Sequence, residues 1–442
     1  GLTTTLAYDH DGRLSQRRTT LSSVTTPLTA RYSYDEAGRL SEKTLGPTPV
    51  SYTYNVRGWI GKIASAPFVS ELRYENPRYG GAPLYSGMVS QWTWKHGQQP
   101  ENDYVFSYDG VGRLVAAKHF VDGARTDGYT ERGIRYDANG NLLAISRTAG
   151  GAVSDSLRFT LGGDVLLDVS GTSTGVFEYD PSGNLVKDGL NRLEFSYNCL
   201  NLMQTVQTTV GASKAQFTYG SDGRKLSEKA GTGGFEYMGS LIYAYRGGTL
   251  SLAQAVTDEG TIQSAGVNYF IRDHLGSVRA VVDHTGKIVE RNDYYPFGGR
   301  HENSALSLSA TNRYKFGGKE SLEPVSLDML DFGARFYDPR IARWNTQDPL
   351  AEKYFSLSPY NYCAGNPITL VDPTGMVMDD YRLKKNGEIE LMKKTNDNYD
   401  VIYAENEKGE IDLFNTISID RGILSNKITG TITPHGKEYS YD

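Results

Sequence analysis

The chain has 442 residues, of which 38% are hydrophobic and 22% charged, with a formal net charge of −6. This length suits roughly two to four domains, and the composition is neither that of a disordered chain nor that of a membrane-embedded one. No basic block stands out, so nucleic acid is not an implied partner of the bulk of the chain.

The 49 glycines and 31 tyrosines are both in excess. Tyrosine favours strands and glycine supplies the positive φ of tight turns, so many short strands joined by turns are expected. The two cysteines, Cys199 and Cys363, cannot make a disulfide framework. No apolar run reaches the roughly 18 residues a membrane span needs. The chain opens Gly1-Leu2-Thr3 without a basic or apolar leader, and its repeat is already running at Tyr8. Gly1 therefore reads as an interior cut.

From the first residues onward one signature recurs: Tyr, Asp or Asn, two free positions, Gly, a polar residue, then an aliphatic one. It stands at Tyr8-Asp9…Gly12-Arg13-Leu14, Tyr34-Asp35…Gly38-Arg39-Leu40 and Tyr54-Asn55…Gly58-Trp59-Ile60. It returns from Tyr108, Tyr136 and Tyr179, and more weakly from Tyr197 and Tyr219. Residues before each tyrosine alternate, as in Arg31-Tyr32-Ser33-Tyr34, which is a strand period. The Asp or Asn side chain can bond amides two residues on, and glycine takes the left-handed position. Each unit is then a β-hairpin that needs neighbours to be stable. The turn is constant but the spacing varies: 26 residues from Tyr8 to Tyr34, 20 from Tyr34 to Tyr54 and 28 from Tyr108 to Tyr136. That pattern implies one long hairpin sheet with unequal strands.

From about Asn268 a denser string follows. It runs through Ile271-Arg272-Asp273-His274-Leu275-Gly276, Tyr294-Tyr295-Pro296-Phe297-Gly298 and Tyr314-Lys315-Phe316-Gly317-Gly318-Lys319-Glu320. It continues with Gly333-Ala334-Arg335-Phe336-Tyr337-Asp338-Pro339, Arg343-Trp344, Asp348-Pro349-Leu350 and Asn366-Pro367, and closes with Asp372-Pro373-Thr374-Gly375-Met376. His274 and His284 each follow an aspartate but lack a third ligand at metal spacing, so no metal site is expected. No cofactor is implied.

The repeat resembles the YD repeat of RHS proteins, a family that includes the C components of insecticidal toxin complexes and, more distantly, teneurins. The later string is very similar to the RHS repeat-associated core. The resemblance covers roughly residues 1–376. It implies an all-β fold, a large antiparallel hairpin sheet spiralling around a hollow interior, with repeats over 1–262 and a core plug over 263–376. It further implies that the core ends in an aspartic self-cleavage site at Asp372, with Asp348 as partner carboxylate and the cut between Met376 and Val377. The family pattern usually carries Leu where this chain has Met376.

Elementary chemistry supports such a pair. Two carboxylates that share one proton can activate a water and protonate the leaving amine. Asp348 and Asp372 are 24 residues apart, across an aromatic loop that could fold back. Arg343 is a candidate to position a carboxylate or orient the scissile carbonyl. Spacing alone favours the plainer reading that both Asp-Pro pairs, like Asp338-Pro339, are turn chemistry.

After Met376 the composition changes: residues 377–442 carry 13 acidic and 9 basic side chains, and the repeat disappears. Short strands are expected around Ile389–Lys393 and Asp400–Ala404, with turns at Asn386-Gly387 and Lys408-Gly409-Glu410. The resemblance places a variable toxin domain here, yet no catalytic set is visible. The tail is either a small effector or the start of a longer toxin, and its ending favours the second. The whole reads as an encapsulating carrier with its own tail as cargo, secreted or at the cell surface, alongside a secretion apparatus and an immunity protein. The alternatives are a surface adhesion or carbohydrate-binding protein, and a purely structural wall protein with a degenerate core.

Overall fold

The computed structural model describes residues 1–302, 312–353 and 356–376 in full, and six strands of backbone within 377–442. Val377 and the expected turns at Asn386-Gly387 and Lys408-Gly409-Glu410 lie outside the described residues.

Each repeat closes on its aspartate. Asp9 Oδ1 accepts the amides of Asp11 at 3.0 Å and Arg13 at 2.9 Å. Gly12 takes a φ of 78°, which costs glycine little and a residue with Cβ more. The same pair of bonds recurs at Asp35, Asn55, Asp109, Asp180 and Asn198. The polar residue after the glycine donates to the second oxygen. Arg13 and Arg113 do so through Nε at 2.8 and 2.7 Å, and Asn141 and Asn184 through Nδ2 at 2.9 Å. Arg and Asn alternate at this position because both can make that bond.

The tyrosine joins each hairpin to the one before it. Tyr34 donates its hydroxyl to the Leu14 carbonyl at 2.9 Å, Tyr54 to Leu40 at 2.8 Å, Tyr136 to Leu114 at 2.8 Å and Tyr197 to Leu185 at 2.7 Å. Each acceptor is the aliphatic residue of the preceding turn. The arginine of that turn lies over the same ring, Arg13 over Tyr34 at 4.9 Å and Arg39 over Tyr54 at 4.7 Å. Each contact contributes about 0.5–1.5 kcal/mol, and neither exists within a lone hairpin.

Strands Leu2–Tyr8 through Ile288–Arg291 form one 28-stranded sheet. Each strand pairs antiparallel with its chain neighbours, except that Leu114–Val121 pairs with both the two-residue Ala124–Arg125 and Glu131–Tyr136. The late strands come back against the first. Tyr32 and Lys43 both donate to Glu259, at 2.8 and 2.9 Å, and the Thr29 amide donates to Tyr269 Oη at 3.2 Å. The sheet crosses the expected division at 262/263 without a break, since Gly260–Gln263 pairs with Gly266–Arg272. Asp273 and Asp283 make the repeat turn again without a tyrosine before them.

The described residues between Asn292 and Met376 form a plug with little regular structure: four short strands, Glu320–Ser321, Leu330–Asp331, Phe336–Asp338 and Arg343–Trp344, around buried Tyr337, Trp344 and Tyr362. The plug lies on the tips of the repeat turns. Ser358 N donates to Asn139 O at 2.8 Å, and Tyr360 Oη donates to Gly183 O at 2.7 Å. A Cβ on Gly183 would stand 2.2 Å from the end of the exposed Gln347 side chain, which would have to move aside, and the φ of 77° favours glycine there. Buried charges complete the seam. Lys225 of the sheet meets Glu320 at 2.7 Å and Asp331 at 2.6 Å, and Arg313 of the plug meets Glu228 at 2.8 Å.

In the tail, Asp380–Leu383 pairs antiparallel with Ile389–Leu391 and parallel with Tyr399–Glu405, which pairs antiparallel with Ile411–Asp420.

Candidate functional site

The plug brings Asp348 and Asp372 together around one guanidinium. Arg335 Nη2 lies 2.8 Å from Asp348 Oδ2 and 3.4 Å from Asp372 Oδ2. Those two contacts to a single nitrogen bound the oxygen–oxygen separation at about 6 Å. Both carboxylate side chains are nearly buried, at 11% and 12% exposure, and Arg335 at 2% is sealed.

Local turns aim the two groups. Asp348 Oδ1 accepts the Leu350 amide at 2.7 Å, and Asp372 Oδ1 accepts those of Thr374 at 3.1 Å and Gly375 at 2.7 Å. Each aspartate thus does turn chemistry with one oxygen and turns the other toward Arg335. The two readings of the Asp-Pro pairs are compatible. Gly375 sits at φ 71°, and a Cβ there would lie 3.0 Å from Arg335 N and from Phe332 Cβ. The glycine lets the chain lie flat against the arginine.

Arg335 is itself fixed from three sides. It stacks over Trp344 at 4.2 Å, Nη1 donates to Pro359 O at 3.0 Å, and Nε donates to Gly375 O. Burial pushes the Asp372 carboxyl up to about 6; Arg335 and the Thr374 and Gly375 amides oppose the rise, and Asp348 adds to it. Burial likewise lowers the Arg335 guanidinium, against the pull of the two carboxylates. Cys363, at φ 48°, has its thiol beside Asp372, and burial pushes that thiol well up.

Arg343, the arginine expected to serve the pair, is elsewhere. It donates to Asn141 Oδ1 at 3.2 Å and to the Asp164 carbonyl, and lies over the Tyr360 ring at 4.4 Å. It pins the plug to the sheet, and Arg335 occupies the position foreseen for it. Arg335 stood in the Gly333–Pro339 string without a role; its only mark in the sequence was membership of that string. Asp338 is buried against Asp188, and burial, followed by that neighbour, pushes its carboxyl up to about 7. His274 bonds the Ile368 carbonyl at 3.0 Å and packs edge-on against Trp92. Among the described residues no group of three or more His, Cys, Asp or Glu could hold a metal, and no helix is long and apolar enough to cross a membrane.

Double-stranded DNA deaminase toxin A of Burkholderia cenocepacia is 26% identical over 314 residues, which is 61% of this chain and 20% of its own length. Toxin subunit YenC1 of Yersinia entomophaga is 31% identical over 112 residues, 25% of this chain and 11% of its own. Salivary gland surface protein 1 of Aedes aegypti is 36% identical over 105 residues, 24% of this chain and 3% of its own. The chain therefore spans at most a fifth of the length of these relatives. The crystal structure of TcdB2-TccC3 without its hypervariable C-terminal region matches with a TM-score of 0.66 at 18% identity, over 85% of this chain and 20% of that one, which is a likeness of fold. The Teneurin YD-shell family model matches residues 85–368, well over half of the chain. That match takes in the strong turns from Tyr108 onward and most of the plug, Arg335 and Asp348 included, and the chain belongs to the teneurin YD-shell family.

Proposed function

We propose that this chain is the shell and self-cleaving plug of a secreted RHS-type carrier, and that its tail from Val377 onward is the cargo released inside the shell. The toxin names of two relatives support the carrier reading. The observation that carries the cleavage reading is the meeting of Asp348 and Asp372 on Arg335, four residues before the composition changes at Met376.

The chemistry divides between the two carboxylates. Asp348, ion-paired with Arg335, takes a proton from a water molecule. The water oxygen bonds to the Met376 carbonyl carbon. The C–N bond to Val377 then breaks, and its nitrogen receives the proton held by Asp372. One water is consumed; a Met376 carboxyl and a Val377 amine result. A buried acid titrating near 6 keeps part of its proton near neutral pH, which suits a general acid. The reaction turns over once, on a bond of the same chain, so no substrate cleft is required. Arg335 holds the pair together and is a positioning residue. In this reading the released tail acts in competition between bacteria, a secretion apparatus exports the assembly and an immunity protein protects the producer.

Purified protein run under denaturing conditions is expected to give two species, with intact masses placing the cut after Met376. Asp348→Asn and Asp372→Asn are each expected to leave one full-length species with the shell still folded. A full-length wild type, or unchanged cutting in both variants, would overturn the assignment.

A further inference from the structure

The segment that carries the proposed cut is gripped by its backbone. Lys319 Nζ donates to the Pro373 carbonyl. The Ala334 amide donates to the Thr374 carbonyl at 3.0 Å. Arg335 Nε donates to the Gly375 carbonyl. The fourth carbonyl in this run, that of Met376, accepts from the hydroxyl of Thr374 at 3.2 Å. Four consecutive carbonyls are thus each met by a donor. Three of those donors come from residues 319–335 of the plug; the fourth is supplied by the segment itself.

The fourth contact differs in kind. Lys319, Ala334 and Arg335 hold carbonyls that stay intact, whereas the Met376 carbonyl belongs to the bond that breaks. Its oxygen gains negative charge when water adds to the carbon. A donor already in place there gains strength as that charge develops and needs no reorganisation. The turn that places the hydroxyl is the one that aims Asp372, because Asp372 Oδ1 accepts the Thr374 and Gly375 amides. Acid and carbonyl donor are therefore set by one turn, and the plug holds that turn rigid by its neighbouring carbonyls.

We propose that Thr374 is a catalytic residue of the self-cleavage, its hydroxyl donating to the oxygen of the scissile Met376 carbonyl and stabilising the tetrahedral intermediate. The proposal rests on the cleavage reading above. In the step it serves, the carbonyl π pair moves onto oxygen as the water O–C bond forms. It returns when the C–N bond breaks, with the proton balance already given for Asp348 and Asp372. The hydroxyl keeps its own proton throughout.

The test uses the full chain made by cell-free translation, with the fraction cut followed over time by denaturing electrophoresis and the new ends mapped by mass. Thr374→Val keeps the shape and removes the donor; it should slow the cut about 100-fold, the low end for loss of one such donor. Thr374→Ser should restore the rate to within about threefold, since it restores the hydroxyl. The pH at which the rate falls should not move in either variant, because Asp372 sets it. Thr374→Ala checks that a slow valine variant is not a misfolded one: it should be equally slow, and the valine and alanine changes made in the uncut Asp372→Asn protein should leave the thermal melt of that protein unchanged.

Each alternative result is decisive. If wild type cuts after Met376 and Thr374→Val keeps pace, the carbonyl donor is refuted and the aspartate pair stands. If valine and serine are equally slow, the site needs the threonine shape and the donor role fails. If wild type is not cut after Met376, the cleavage reading fails and this proposal with it. A shifted melt in both the valine and alanine variants would make Thr374 a structural residue and overturn the proposal.

Discussion

The repeat turns of the sheet and the plug are stabilised in opposite ways, although the sheet also buries single ion pairs such as Arg147 on Glu131. The sheet repeats one small device many times. An aspartate closes a turn, an arginine or asparagine satisfies its second oxygen, and the next tyrosine reaches back to the carbonyl just past the turn. The plug has few strands and almost no repetition. Its charges are single and buried: Arg335 between Asp348 and Asp372, Lys315 on Glu290, and Arg313 between Glu228 and Glu320. In the repeat turns, many weak bonds share the load, so losing one costs little. In the plug, one side chain often has several partners, and its loss leaves charges buried without compensation.

That contrast can be broken most sharply at Arg335. Arg335→Met should destabilise the plug by about 3 kcal/mol or more, the cost of removing one member of a buried ionic group. Chemical unfolding followed by tryptophan fluorescence would report it through Trp344, which stacks on the arginine. A cost below about 1 kcal/mol, that of a surface ion pair, would erase the distinction drawn here. Self-cleavage should fail in the same variant.

Next in size is the response to pH. Asp372 is held up at about 6 against an ordinary 3.8. A raised carboxyl favours the folded state most at low pH, and that contribution is lost as pH rises through the folded value. Cleavage should therefore slow about tenfold per pH unit above pH 6, as the acid form disappears. The pH dependence of unfolding between pH 4 and 6 should shrink in Asp372→Asn. A rate that climbs with pH across this window would reverse the roles given to the two aspartates.

A smaller effect is expected where the two regions touch. Gly183→Ala puts a methyl group into the Gln347 side chain and strains a φ of 77°. It should cost about 1–3 kcal/mol, whereas Gly12→Ala, with open space around it, should show only the backbone part. Comparing the two melts separates plug contact from turn geometry. Smallest of all is a single rung of the tyrosine ladder. Tyr54→Phe should cost about 1 kcal/mol through the Leu40 carbonyl. Tyr8→Phe, at an exposed ring, should cost nearly nothing. The double variant Tyr54→Phe, Tyr136→Phe should show the two costs adding, since the sites share no partner. A much larger combined loss would mean that the sheet does not divide into near-independent rungs.

Much of the shell could be read from the residue pattern, and the reason is distance. Every bond inside a repeat turn closes within about five residues, so a local signature carries the whole interaction. The alternation before each tyrosine and the fixed place of glycine were enough for hairpins and an all-β sheet. The signature did not say why arginine and asparagine alternate, because the shared acceptor, Asp Oδ2, becomes visible only when the side chains are placed. Nor did it show that the sheet continues to Arg291. The turns at Asp273 and Asp283 lack the tyrosine that flagged the others, yet the same oxygen-to-amide bonds form them.

In the plug the sequence by itself determined which residue types were available: three Asp-Pro pairs, a run of aromatic residues, and arginines at 335 and 343. Only the tertiary structure decided which of those arginines meets the aspartates. Arg335 lies 13 residues before Asp348 and 37 before Asp372, and Arg343 is nearer in sequence to both. Proximity along the chain favoured the wrong one. Stacking on Trp344 and the grip on Pro359 and Gly375 turn Arg335 inward, while Asn141, Asp164 and Tyr360 draw Arg343 away. Local bonds are encoded by spacing. A buried charge finds its partners through the packing of everything around it, and no short stretch of sequence holds that information.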